Sequence, residues 1–227
     1  MRGAKRVAVS VLIPAFNEEK QIKSTIETAF GLNGVKEVIV IDDGSTDRTY
    51  QQAVQTQAKV LQLSSNHGKG FALNYGMQQV NEDIILLLDA DVGTTAVEAQ
   101  KLLNPVIKKQ VDMAVAKFPK TNKKGGFGLV KKLATWGLKI ITGQYFTAPL
   151  SGQRAINKKV IEEINEFAPG FAVEVALTIA VWQSGFKIEE IPVNMTHRVT
   201  GRTLKAFYHR GQQFKDIAFV LASTLRK

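Results

Sequence analysis

Five short aliphatic runs, each set off from the next by a stretch of helical length, constrain this chain more than any other feature. The runs are "VAVSVLIP" (7–14), "EVIVID" (37–42), "AKVLQL" (58–63), "DIILLLD" (83–89) and "DMAVAKF" (112–118). Their apolarity is nearly continuous rather than alternating, as expected of strands covered on both faces. Between them, Glu18–Phe30, Asp47–Gln57, Lys69–Val80 and Ala96–Lys109 mix polar and apolar residues at helical length. Strand and helix in strict alternation predict an α/β fold, a mostly parallel central sheet with helices on both faces. A ligand then binds at the carboxyl ends of the strands.

The polar residues gather at those ends. The first run leads into Pro14-Ala15-Phe16-Asn17-Glu18, the second into Asp42-Asp43-Gly44-Ser45-Thr46-Asp47, and the fourth into Asp89-Ala90-Asp91. Taken singly, Asn17 or Asp47 is as well read as a helix cap, and "DDGS" as a turn. Three such clusters on one sheet edge point to a site. Gathered carboxylates repel one another unless a cation enters, and the chain has no cysteine to offer one as thiolate. Oxygen donors of this kind suit Mg²⁺ or Mn²⁺, shared with substrate phosphates. Asp91, beyond the strand, is the expected ligand; Asp89, still on it, is expected to meet a sugar hydroxyl or to orient the loop. In "NHGKGFALNYG" (66–76), Gly68 and Gly70 flank Lys69 at a helix start, where backbone N–H groups favour anions.

The second half breaks the rhythm. "FPKTNKKGGFG" (118–128) reads as a mobile loop. Helices are expected at Leu129–Ile141, Lys158–Glu166 and Phe171–Trp182, a strand at 187–195, and a basic amphipathic helix from about Thr203. The simplest organisation of the 227 residues is one domain. The absence of cysteine excludes disulfides and fits a cytoplasmic setting. "MRGAKRVAVSVLIPAFNEE" imitates a signal peptide but offers no small-residue cleavage site, so a buried first strand explains it better. No apolar stretch reaches the length of a membrane span.

The net charge of +10 is uneven: residues 101–139 carry +9, and 192–227 carry +6. Basic segments attract phosphates or anionic lipid, and a non-catalytic phospholipid- or nucleic-acid-binding protein is one reading of them. That reading leaves the acidic clusters unexplained, and no nucleic-acid partner is expected. A nucleotidyltransferase would instead place a glycine-rich basic loop after the first strand, where this chain is acidic.

"IPAFNEE", "VIDDGSTD", "NHGKGFALNYG" and "LLLDADV" resemble, in order and spacing, the family 2 glycosyltransferases of GT-A fold. "PLSGQRAI" (149–156), "GFAVEVAL" (170–177) and "GFKIEEIPV" (185–193) are similar to dolichol-phosphate mannose synthases and other polyprenyl-phosphate glycosyltransferases. "GFAVE" and the later "HR" also resemble glucosyl-3-phosphoglycerate synthases. The resemblance implies sugar transfer from a nucleoside diphosphate sugar (UDP- or GDP-), with a divalent metal, to a phosphate-bearing acceptor. Polyprenyl phosphate is expected first, and a soluble phosphorylated acceptor is the alternative.

Carried onto these positions, the resemblance assigns Pro14, Asn17 and Glu18 to the first nucleotide loop and Asp43 to the base. Lys69 faces the nucleotide, and Asp89 and Asp91 form the Asp-x-Asp motif. His197 completes the metal or diphosphate site. Glu174, amid the apolar "GFAVEVALTIAVW", is expected near the acceptor, removing a hydroxyl proton or, for a phosphate acceptor, orienting a group or pairing with Arg154. Gly152 permits close backbone approach and Arg154 can grip phosphate bidentately, although a surface arginine on a turn explains it too. Gln153 departs from the "SGFRA" of membrane-associated synthases. Arg198 and Arg202 are expected on the acceptor phosphate. The stripe Phe207, Phe214, Ile217, Ala218 and Leu221 either lies on a membrane, as a peripheral contact, or packs on the protein's own sheet.

Overall fold

The structure, a computed structural model, describes residues 7–119, 128–196 and 204–226, with backbone only over 204–210. The expected edges of the 118–128 loop are described, and its residues 120–127 lie outside.

Among the described residues, seven strands form one sheet in the order β3-β2-β1-β4-β6-β5-β7. They are β1 (Val9–Ala15), β2 (Val35–Asp42), β3 (Lys59–Gln62), β4 (Ile84–Leu87), β5 (Met113–Lys117), β6 (Arg154–Asn157) and β7 (Ile188–Pro192). All are mutually parallel except β6, which runs antiparallel between β4 and β5. The sequence reading placed six of the seven and passed over β6.

Alternate strand residues supply two apolar layers. Val9, Val11, Ile13, Leu86 and Leu88 face α1 (Ile22–Phe30), the 3-10 turn Gly93–Ala99 and α4 (Gln100–Ile107). Leu12, Ile39, Ile41, Ile85 and Leu87 face α3 (Lys69–Met77), α6 (Lys158–Ile164) and α7 (Val173–Gln183). A short α2 (Thr49–Val54) follows β2. Every core strand residue is thus covered, which is why the runs read as continuous apolar text.

A third cluster is helical. Ala134 and Leu138 of α5 (Leu129–Thr142) meet Val175 and Ile179 of α7 and Ile217 and Leu221 of α8 (Leu204–Leu225). A Cβ on Gly137 would collide with the Leu221 side chain, which therefore lies directly against the α5 backbone there. The stripe of α8 therefore packs inward on helices, with Ile217 and Leu221 buried and Phe214 exposed. Ile217 and Leu221 are thus taken up by the protein's own helices, and the side chain of Phe207 lies outside the described residues. Asp216 reinforces the docking by accepting from Phe171 N–H at 2.9 Å.

Candidate active site

Three strand ends and the start of the reversed strand meet at one edge. Because β6 is antiparallel, its first residue, Arg154, pairs with Leu87 at the end of β4. The segment before it, Ser151-Gly152-Gln153, is thereby laid beside Asp89, two residues past β4.

The first two loops are stitched to each other. Asn17, in a left-handed conformation (φ 57°), accepts at Oδ1 from Thr46 N–H at 2.8 Å, and its own N–H donates to Ser45 Oγ at 2.9 Å. Glu18 N–H donates to Thr49 Oγ1 at 2.7 Å, and Glu19 N–H to Asp47 Oδ2 at 3.2 Å. Asp47 also accepts from Thr49 N–H at 2.9 Å, securing the start of α2. Burial would raise the Asp47 carboxyl, but the hydrogen bonds from Thr49 and Glu19 outweigh it and hold it below the usual carboxylate range. Pro14, which has no N–H, lies beyond the last β1–β4 pair, Leu12–Leu87, where that side of β1 needs no donor.

A cleft of about 450 Å³ opens against these loops, lined by Asn17, Glu18, Asp47, Asp91 and Thr196. Its volume suits a small ligand. Thr25 of α1 braces the turn carrying Asp91, accepting from Gly93 N–H at 2.8 Å and donating to Ala90 O at 2.9 Å. Asp91 sits on that turn, as expected, and β4 has already ended when Asp89 is reached.

Asp89 belongs to a second, adjoining cluster. Lys69 Nζ donates to Asp89 Oδ1 at 2.6 Å and to Glu174 Oε1 at 2.8 Å. Gln153 Nε2 donates to Asp89 Oδ2 at 2.6 Å. Gly152 presses on this group: a Cβ there would lie 2.7 Å from Asp89 Oδ1 and closer still to Lys69 Nζ. Burial pulls the Lys69 ammonium down, yet the Asp89 and Glu174 carboxylates more than compensate and hold it above its usual value. Lys69 is therefore charged, and its charge is already met by two acids rather than turned to open solvent. The partner of Glu174 is Lys69, not Arg154.

Two further expectations change on inspection. The helix start at Gly68 is filled from within, because Asp43 accepts from His67 N–H and Gly68 N–H, both at 2.8 Å. Asp43 is buried and braces the loop before α3. The neighbouring Gly44 (φ 70°) is so close to the Ser65–Asn66 backbone that a Cβ would lie 2.5 Å from Ser65 C. Arg154 is neither a surface side chain nor a phosphate clamp: it is 1 % exposed, with Nε donating to Ser151 O at 2.9 Å and NH1 to Thr178 Oγ1 at 3.0 Å. Burial lowers its pKa to about 10, against the opposing pull of Glu174, Glu190 and Asp89. It supports the site from behind.

Sequence reasoning missed three supports. Gln153 was seen as a departure, with no partner assigned. Glu190 on β7 accepts from Thr147 N–H at 2.9 Å and Ala148 N–H at 2.6 Å, fixing the approach to β6. On α3, Asn74 exchanges a reciprocal pair with Phe167, donating to its O at 2.9 Å and accepting from its N–H at 2.8 Å. Beside it, a Cβ on Gly70 would collide with Ala168 O. Residues with unlike sequence neighbours carry these contacts, so only the non-acidic "Q" for "F" change offered a signal. His197, Arg198 and Arg202 lie outside the described residues; Thr196, just before them, is on the cleft rim.

Among the described residues no group of three His, Cys, Asp or Glu side chains forms a ready metal cage. The cleft does offer carboxylate oxygens from Glu18, Glu19, Asp47 and Asp91, with Lys20 beside them, and Mg²⁺-type ions are commonly held by one or two carboxylates together with substrate phosphates. The residues fit an ion of that class bound jointly with a diphosphate.

The sequence pattern described as glycosyl transferase family 2 matches residues 10–170, which include Asn17, Glu18, Lys69, Asp89, Asp91 and Gln153 but stop short of Glu174 and Thr196. The chain belongs to that family. It is 31% identical over 197 residues to an uncharacterized protein of Methanocaldococcus jannaschii, covering 82% of this chain and 80% of that one. It is 28% identical over 211 residues to a dolichol-phosphate mannosyltransferase of Pyrococcus furiosus, covering 86% of this chain. The match spans 58% of that relative's own length. Among solved structures, glucosyl-3-phosphoglycerate synthase of Mycobacterium tuberculosis, in complex with Mn²⁺, UDP and glucosyl-3-phosphoglycerate, superposes with a TM-score of 0.80 at 26% identity. That superposition covers 96% of this chain and 80% of the other. The sheet of this glycosyltransferase is the GT-A sheet.

Proposed function

We propose that this glycosyltransferase moves a sugar from a UDP- or GDP-sugar to a phosphate-bearing acceptor, polyprenyl phosphate in the first instance. The observation that carries the proposal is the adjacency of the two clusters. Asp91, Glu18 and Asn17 line a cleft sized for a nucleotide, and two residues from Asp91 the Lys69–Asp89–Glu174 group marks where the sugar would lie. Asp91, with other cleft oxygens, would hold Mg²⁺ or Mn²⁺. When bound, such an ion offsets the charge of the departing nucleoside diphosphate.

The chain's own residues do the rest. Asp89, fixed on both oxygens by Lys69 and Gln153, is set to accept a hydrogen bond from a donor-sugar hydroxyl. Glu174, on the first turn of α7, borders the acceptor side. A phosphate nucleophile is already anionic and needs no base, so Glu174 orients rather than deprotonates. His197, on this reading, joins the metal or diphosphate, and Arg198 and Arg202 take the acceptor phosphate. A soluble phosphorylated acceptor is the second reading, favoured by the likeness to the phosphoglycerate enzyme.

Titration calorimetry with UDP and GDP, with Mn²⁺ or with chelator, tests the donor half. Binding only with metal is expected, and equal affinity in chelator overturns it. Turnover of a UDP- or GDP-sugar with a short-chain polyprenyl phosphate in detergent, against turnover with 3-phosphoglycerate, decides the acceptor.

A further inference from the structure

We propose that the outer face of α5 is a docking surface for an anionic lipid membrane. The sequence leaves the stripe of the C-terminal helix open between a membrane and the protein's own core, and its Ile217 and Leu221 pack on α5 and α7. Among the described residues nothing covers the outer side of α5. Leu129, Trp136 and Ile140 are 59 %, 63 % and 47 % exposed. Steps of seven and four residues place all three on one stripe of the helix. Tyr145, just past the helix end, is 68 % exposed. Lys131, Lys132 and Lys139 line, with Trp136 and Tyr145, a shallow hollow of about 430 Å³.

The chemistry selects the occupant. Tryptophan and tyrosine favour the headgroup level of a bilayer, where each keeps an apolar body and a polar tip. Lysines beside them can extend to lipid phosphates while their stems cover apolar surface. No Asp or Glu occurs anywhere in residues 113–161, so nothing in the segment repels an anionic leaflet. A second copy of this chain is a poor fit, since a twofold contact would set lysines against lysines with no acid between them. Nucleic acid would leave Leu129 and Ile140 without a role.

The inner face of α5 is as firmly placed as the outer one is open. Ala134, Gly137 and Leu138 are buried, and the helix packs on α7 at Val175 and Ile179, which lie one and five residues beyond Glu174. A membrane seated on the outer face would lie on the acceptor side of the site. The inference rests on the lipid-acceptor reading and assigns the surface by which the enzyme would reach that lipid.

Flotation of the full chain with phosphatidylcholine vesicles, with and without phosphatidylglycerol, is the test. Binding to the anionic vesicles alone, weakened by salt, is expected. Trp136→Ala and the double change Lys131→Glu/Lys132→Glu should each keep the melting temperature, and the double change should weaken binding at least about tenfold. In a Trp182→Phe background, Trp136 is the remaining tryptophan, and its emission should shift to the blue when vesicles are added. Absence of flotation overturns the proposal, as does flotation that both variants retain, release of the vesicles by competing RNA, or a Trp136-dependent dimer in place of binding. The detergent assay separates this from the acceptor reading. Turnover of dispersed polyprenyl phosphate without vesicle binding removes the surface and leaves the acceptor; vesicle binding without turnover does the reverse.

Discussion

Gln153 and Asp89 are joined by a 2.6 Å hydrogen bond that closes the carboxylate oxygen Lys69 leaves open. Replacing Gln153 by Leu removes that donor while Lys69 still holds the other oxygen. A hydrogen bond to a charged group contributes about 1.5–3 kcal/mol. We expect kcat to fall by about tenfold to a hundredfold with the donor KM nearly unchanged. Steady-state kinetics check it; a rise in KM alone would place Gln153 in ground-state binding instead.

Lys69 is the only bridge between Asp89 and Glu174 among the described contacts. Lys69→Met leaves two acids facing each other. Because Lys69 and Asp89 keep 27 % and 33 % side-chain exposure, water screens part of the repulsion. The expected loss is about 1–2 kcal/mol, below that of a fully buried pair. Urea unfolding reads it, and transfer should fall by at least about a hundredfold as Asp89 loses its position.

Asp91→Asn should abolish metal-dependent nucleotide binding and leave the melting temperature within a few degrees, since Asp91 sits on a turn braced by Thr25. Calorimetry with Mn²⁺ and thermal unfolding together check both halves. Full binding by the variant would move the ion elsewhere.

The stitching of the first two loops gives a pH signature. Asp47 has its carboxyl below the usual range in the folded protein. Its contribution is therefore complete above the unfolded-state pKa and is lost as pH falls through the folded-state value. Asp47→Asn should lower stability near neutrality, where the charged carboxylate contributes, and converge on the parent protein as pH falls below about pH 5, flattening the acid limb. Urea midpoints measured across that window provide the comparison.

Much of this was legible in the sequence because burial on both faces writes strands as unbroken aliphatic runs. Val9–Ala15, Val35–Asp42 and Ile84–Leu87 announce themselves that way, and the polar text after each marks the site edge. β6 did not, because "RAIN" is four residues long, begins with a charge and ends in a helix cap: Asn157 Oδ1 accepts from Lys159 N–H at 3.1 Å. Missing its reversed direction also hid why Gly152 and Gln153 sit at Asp89 and why Arg154 is buried. The backbone role of Asp43 was hidden for a related reason, since a carboxylate after a strand looks the same in sequence whether or not it also accepts from its own chain, as Asp43 does from His67 and Gly68 N–H. The amphipathic stripe of α8 was read correctly, but its partner lay in α5, a distance in sequence that periodicity does not reveal.

The seam at Gly70, Asn74, Phe167 and Ala168 bears on how this enzyme can diversify. It clamps the helix that begins with Lys69 to the segment leading into Glu174, so the two flanks of the proposed sugar site share one mechanical frame. Even a methyl group at position 70 would pry that frame open. Variants with altered acceptor choice are therefore to be sought in libraries that leave the seam intact and randomise the exposed residues around it.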